Sequence, residues 1–205
     1  MKFFRLKKLL FLLFLLGGVF YLFLVYPFLS SYFKYRAIAG SGLIYSLKSQ
    51  KDIEAGETVI KPVSRIFGLV ITKLGLNQKV IKEVDYYDAE KLKTELKKGL
   101  AHVKTSALPG EFGAVLIVGH PLDSFFNFTH LNPDFYLINK LEVGDEISLF
   151  YNDLEYSYQV SKKYLAPPTF LDFFEAGEER KLMLVSGYPP GMALKFSVVE
   201  AEEIY

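Results

Sequence analysis

The 205-residue chain contains no cysteine. No disulfide framework can form, so a domain outside a reducing compartment must be held together by its core alone. Thiolate chemistry is excluded as well. Acidic residues are missing from the first 36 positions, which carry Lys2, Arg5, Lys7, Lys8, Lys34 and Arg36. The formal net charge of +1 therefore conceals a remainder with 18 basic and 23 acidic residues. A modestly acidic body without a basic stripe or interleaved aromatics gives no electrostatic footprint for nucleic acid. Internal repeats are absent too, and the length suits one domain with attachments.

Apolar side chains are abundant, and unevenly so. From Leu9 to Leu29 every residue is apolar or glycine except Tyr21, Tyr26 and Pro27. At about 1.5 Å per residue this run matches a hydrocarbon core roughly 30 Å thick. The basic flank over 1–8 keeps the N-terminus in the cytoplasm, which predicts a single-pass anchor over 9–29 with the C-terminal domain on the outer side. A cleaved signal peptide is the competing reading, since Ala37-Ile38-Ala39 has a small-residue pattern; the apolar run is longer than an ordinary signal core. Residues 30–63 read as a stalk in which Gly40, Ser41 and Gly42 stop any continuing helix, with a short helical stretch around Ala37–Lys51.

The pattern changes to short strands over 64–205. Gly68–Lys73, Ala114–Val118, Leu182–Ser186 and Leu194–Val199 are apolar runs of strand length, and Glu146–Tyr151 and Glu155–Val160 alternate around Asn152-Asp153-Leu154 as a hairpin does. One helix is clearly signalled: Asp88 caps it, Ala89, Leu92 and Leu96 share a face, Lys97 and Lys98 fill the last turn, and Gly99 stops it. Pro167–Phe174 predicts a second short one. Many short strands with one amphipathic helix indicate a closed or nearly closed β-barrel.

Several segments, in order, resemble the sortase family. Ile71-Thr72-Lys73-Leu74-Gly75-Leu76-Asn77 is similar to the family's opening Ile-Pro-Lys-Ile-Gly-Val-Asn. Gly99-Leu100-Ala101-His102 and Thr105–Glu111 resemble its Gly-Val-Ala-His and Thr-Ala-Leu-Pro-Gly-Glu section. Gly113–His120 is similar to the strand that ends in the catalytic histidine, and Leu141–Ile147 to Leu-x-x-Gly-Asp-x-Ile. Last, Leu182–Gly191 looks like the nucleophile strand Leu-Thr-Leu-Val-Thr-Cys and the Pro-Gly that follows. The likeness spans about Phe67–Val199 and implies a mainly β, eight-stranded sortase-type barrel with one or two short helices, class D/E-like, behind an N-terminal transmembrane helix. It also implies a bacterial plasma-membrane location, a sorting-signal peptide of the Leu-Pro-x-Thr-Gly kind as partner, and no cofactor or metal.

The resemblance places three catalytic positions. His120 retains the histidine. Gly187 stands where the cysteine belongs, and Phe196 where the arginine does. Without thiolate and guanidinium, the attacking atom and the charge-assisted hydrogen bonds to an oxyanion are gone. The leading expectation is thus a membrane-anchored, sortase-like envelope protein without transpeptidase activity, holding an extended peptide or an envelope partner in a groove whose floor stands open at Gly187. Two alternatives stay open: an acyl transferase or hydrolase that uses Ser186 with His120 and Lys195, and a structural envelope protein with no ligand. Ser186 shares strand parity with Leu182 and Leu184, which favours a core position over an attacking one. His102 reads as a structural hydrogen-bonding residue. His120, Asp123 and His130 match no recurrent metal-ligand spacing. Asn127-Phe128-Thr129 fits a glycosylation sequon only by pattern, and the aromatic segment Phe125, Phe126, Phe128, Phe135 and Tyr136 reads as packing or as groove lining.

Overall fold

The computed structural model describes residues 2–40, 61–119, 132–189 and 194–204. Helix α1 spans Lys2–Gly40 without a break, so the helix runs through the first part of the expected stalk and ends where Gly40 was expected to stop it. Within the apolar run of α1 the side chains at 9, 23–25, 27 and 28 are not among those described, and among the described residues no helix is long and apolar enough to cross a membrane. The apolar side chains Leu10, Phe11, Phe14, Phe20 and Leu29 of α1 nevertheless project outwards, away from any core.

Eight strands follow: β1 Phe67–Ile71, β2 Leu76–Val84, β3 Leu100–Val103, β4 Ala114–Val118, β5 Glu146–Tyr151, β6 Leu154–Ala166, β7 Lys181–Tyr188 and β8 Lys195–Ile204. They close into a barrel in the order β1-β2-β3-β4-β7-β8-β6-β5. Most pairs are antiparallel; β2–β3 and β4–β7 are parallel. Closure removes the unpaired edges that an open sheet of this size would expose.

Local sequence explains the joints. A 3-10 turn over Thr72–Leu74 ends at Gly75, whose φ of 61° is left-handed and whose N–H returns to the Thr72 carbonyl at 3.0 Å. Helix α2, Ala89–Leu96, starts where the Asp88 carboxylate accepts from the Lys91 N–H at 3.0 Å and buries Leu92 and Leu96. It ends at Leu96, three residues before Gly99. That glycine serves a different purpose from a helix stop: a Cβ there would collide with the Lys79 carbonyl of β2. The β5–β6 turn is two residues, Asn152 (φ 49°) and Asp153 (φ 67°), the left-handed pair that suits a tight hairpin. Strand β6 runs on to Ala166, well past the expected end at Val160, because β8 pairs with its whole second half. The Pro167–Phe174 segment forms 3-10 turns over Pro168–Phe173, and a further 3-10 segment, Pro133–Lys140, had no periodic signal in the sequence.

The core has two layers. Leu69, Ile71, Val115, Ile117, Leu149, Tyr158, Leu182, Leu184 and Val199 fill the barrel interior, with Phe135 from the 3-10 segment inserted among them. Val84, Leu92, Leu96, Leu116, Val118, Leu171, Met183, Val185, Phe196 and Val198 form a second cluster on the outer face, under α2 and the β6–β7 connection. Leu116 therefore belongs to the layer opposite Leu182 and Leu184. Burial on both faces explains why β4 and β7 read as continuous apolar runs instead of alternating. Each such side chain contributes roughly 1.5–3 kcal/mol when fully buried.

Candidate functional site

Strands β4, β7 and β8 lie side by side at one end of the barrel, with Val118 in register with Val185 and Gly187 opposite Phe196. Strand parity sorts the site residues onto two faces. Met183, Val185 and, by alternation, Gly187 face the outer cluster. Leu182, Leu184 and therefore Ser186 face the interior. On β8 the same rule sends Phe196 and Val198 outwards and Ser197, Val199 and Ala201 inwards.

Gly187 and Phe196 thus share one face, as the resemblance implies. The open groove floor expected at Gly187 is not found. Gly187 is buried, and Phe196 is 0% exposed, packed in the outer cluster beside Ala166, Val198 and Leu171. A phenyl ring has no charge to keep solvated, so it sinks into the apolar layer where a guanidinium would have to stay near water or a partner. Gly187 pairs in regular strand backbone and is absent from the positive-φ residues, so its backbone accepts an L side chain.

Ser186 is 1% exposed on the interior face, directly across from the buried Ser197. Its Oγ is buried with no hydrogen-bond partner among the described residues, so no base or carbonyl among them orients it. Lys195 is exposed at the start of β8 and pairs with Tyr188, two steps beyond the buried Ser186–Ser197 pair. The structure therefore does not bring Ser186 and Lys195 together at an open site. His120, Asp123 and His130, together with the sequon Asn127-Phe128-Thr129 and Phe125, Phe126 and Phe128, lie outside the described residues. Phe135 and Tyr136 from the same aromatic segment are buried, and the Phe135 ring packs so tightly on Gly119 that any Cβ there would overlap it.

His102 is wholly structural. Its ring is 0% exposed, Nε2 lies 2.9 Å from the Ala107 carbonyl, and Nδ1 accepts from the Glu83 N–H at 3.2 Å. That pattern requires the neutral Nε2–H tautomer, and burial holds its pKa below the ordinary value. Ser106 joins the network by donating to the Val103 carbonyl at 2.7 Å while accepting from the Leu116 N–H at 3.1 Å. The Gly144-Asp145 pair is structural too. Gly144 takes φ 97°, and Asp145 accepts from the Glu142 N–H at 2.7 Å and from the Lys73 ammonium at 2.8 Å. Sequence reasoning missed Lys163, which donates to the carbonyls of Asn139 and Leu141 and so closes the C-terminal end of the Pro133–Lys140 segment.

The cavities among the described residues include two of note. One, of about 220 Å³, opens on the outer layer between Tyr86, Val103, Leu116, Leu171 and Phe174. The other, of about 670 Å³, sits at the opposite end of β7 and β8 beside Glu178, Glu179, Arg180, Glu202 and Glu203. Neither is lined by Ser186, Gly187, Lys195 or Phe196. Among the described residues no cluster of His, Asp and Glu is arranged to hold a metal.

The Sortase domain family model matches residues 69–204, about two thirds of the chain. The chain belongs to the sortase family. Solved structures agree at the level of fold. A Clostridium perfringens sortase D5 transpeptidase is 22% identical with a TM-score of 0.55, over 86% of this chain and 99% of its own. Sortase C-1 from Actinomyces oris is 19% identical with a TM-score of 0.55, over 84% and 97%. Sortase C1 from Streptococcus suis is 19% identical with a TM-score of 0.54, over 68% and 73%. None of the curated proteins compared with the chain matches it.

Proposed function

We propose that this sortase-family barrel is a membrane-anchored protein of the bacterial envelope that has given up cysteine transpeptidation and serves as a binding module for an extended peptide or an envelope partner. The observation that carries this reading is the Gly187–Phe196 pair. The position of the thiol has no side chain, and the position of the guanidinium holds a buried phenyl ring. Acyl transfer needs an attacking atom and a stabilised oxyanion, and this pair supplies neither. The family's peptide chemistry supports a peptide of the sorting-signal kind as the partner. The outward-facing apolar surface of α1, with the basic flank before it, supports the anchor over 9–29 and an extracytoplasmic barrel. The serine-enzyme alternative is weakened by the burial of Ser186 on the interior face, where a substrate carbonyl has no approach.

The test is a cleavage assay with sorting-type peptides on the natural chain, a Gly187→Cys variant and a Gly187→Cys, Phe196→Arg variant, each checked for folding by thermal melting. Activity confined to a cysteine-bearing variant supports a barrel disabled at these positions. Turnover by the natural chain contradicts it.

A further inference from the structure

Helix α1 does not end where its long apolar run does. The 21 residues Leu9–Leu29 span about 32 Å as a helix, and the remaining 11 residues to Gly40 add about 16 Å more. Helix α1 meets the barrel on the 3-10 segments Thr72–Leu74 and Pro133–Lys140, and Tyr32 and Tyr35 of that outer stretch are two of its residues in contact with the barrel. Tyr35 is half-buried against the interior core, and the Lys140 ammonium lies 5.9 Å from the centre of the Tyr32 ring, a cation–π distance. Both 3-10 segments sit at the end of the barrel where β1 and β4 finish, β2 begins, and Gly187 and Phe196 pair; the Pro133–Lys140 segment also touches β7 and β8. The far end carries Glu178, Glu179, Glu202 and Glu203 around the larger cavity.

We propose that the barrel rides directly on the emerging helix, with its Gly187–Phe196 end turned towards the lipid headgroups and its glutamate-rich end turned away. This orientation rests on the membrane-anchored reading of α1. Two features support it independently. Tyr32 meets Lys140 within one turn of the end of the apolar run, so the barrel end that α1 touches is held at headgroup depth, where tyrosines are favoured. An anionic lipid surface repels the glutamate cluster and so favours the same face-down pose. The barrel's preferred surface partner is then the bilayer itself, and whatever reaches its site does so along the membrane plane.

The absence of cysteine makes the test direct, because introduced thiols are unique. The full chain is reconstituted into vesicles of phosphatidylcholine and phosphatidylglycerol. Single fluorophores are placed at Leu194→Cys, beside the site, or at Glu202→Cys, at the acidic end, with a quencher attached to the lipid headgroups. A Tyr32→Cys, Lys140→Cys pair is treated separately with a short bis-maleimide, and Tyr32→Cys, Glu202→Cys is the control. The proposal expects flotation with the vesicles, quenching at 194 but not at 202, and cross-linking of the 32–140 pair roughly tenfold faster than the control, as a docked pair gives over a merely tethered one. Flotation with equal quenching at both labels, or with no preference in cross-linking, overturns the docked orientation while the anchor stands. Failure to float overturns the anchor and the orientation with it, even if the 32–140 cross-link forms.

Discussion

Two stretches of the barrel resemble the family in sequence and differ sharply in their polar content. The segment around His102 keeps its polar residues and uses them: imidazole, Ser106 hydroxyl and four backbone groups satisfy one another inside the core. The β7–β8 end keeps the strand frame but carries Gly187 beside a buried Phe196, with a buried Ser186 hydroxyl beneath that has no partner among the described residues. The difference teaches which residues the fold itself demands. A buried hydrogen-bond network cannot be dismantled piecemeal, because each loss strands the partners that remain. A catalytic pair on the outer layer can be replaced by apolar packing, because packing needs only shape and apolar area.

The largest effect should come from restoring charge to the packed end. Phe196→Arg places a guanidinium in a fully buried apolar layer, and should destabilise the fold by about 3–5 kcal/mol in urea unfolding. A change below about 1 kcal/mol would mean that the outer layer is looser than its burial indicates.

On the other side of the comparison, His102→Ala should destabilise by about 1–3 kcal/mol, since the Ala107 carbonyl and the Glu83 N–H lose their partner. The same residue sets a pH dependence. The pKa of His102 is depressed in the folded state, so the unfolded chain takes up the proton first and stability falls as pH drops below the ordinary histidine range. His102→Gln should flatten the melting-temperature profile between pH 7.5 and 5.5, values that bracket the ordinary pKa of about 6.5. An unchanged slope would assign the acid sensitivity to other groups.

Asp145→Ala tests a joint at the rim. It removes the acceptor of the Glu142 N–H and the main partner of Lys73, and because both side chains meet solvent the loss should be only about 1 kcal/mol. Smallest, and opposite in sign, is Ser186→Ala. Deleting a buried hydroxyl that has no partner among the described residues should leave stability unchanged or raise it by up to about 1 kcal/mol. A clear destabilisation would show that the hydroxyl has a partner that matters.

Much of this was legible in the sequence because it depends on local pattern. The apolar runs of β1, β4 and β7, the Asp88 cap and the Asn152-Asp153 turn each follow from residue type and spacing. Parity alone placed Ser186 with Leu182 and Leu184, on the interior face. What stayed hidden depends on contacts between distant segments. The 3-10 segment Pro133–Lys140 has no periodic signature, and its Phe135 plug is specified by Gly119. The length of β6 is set by β8, and Gly99 is required by the Lys79 carbonyl instead of by a helix stop. The sinking of Phe196 was hidden for the same reason. The sequence has Phe196 where the resemblance implies a guanidinium; only the assembled outer cluster shows that the ring is buried.

The most direct measurement of the central claim is intact-mass spectrometry of the natural chain and the Gly187→Cys variant after incubation with a sorting-type peptide. A barrel whose chemistry was lost at Gly187 gives no acyl adduct on the natural chain, whatever the peptide concentration. An adduct on the natural chain that maps to Ser186, and that disappears in Ser186→Ala, would contradict the account and establish a serine enzyme in its place.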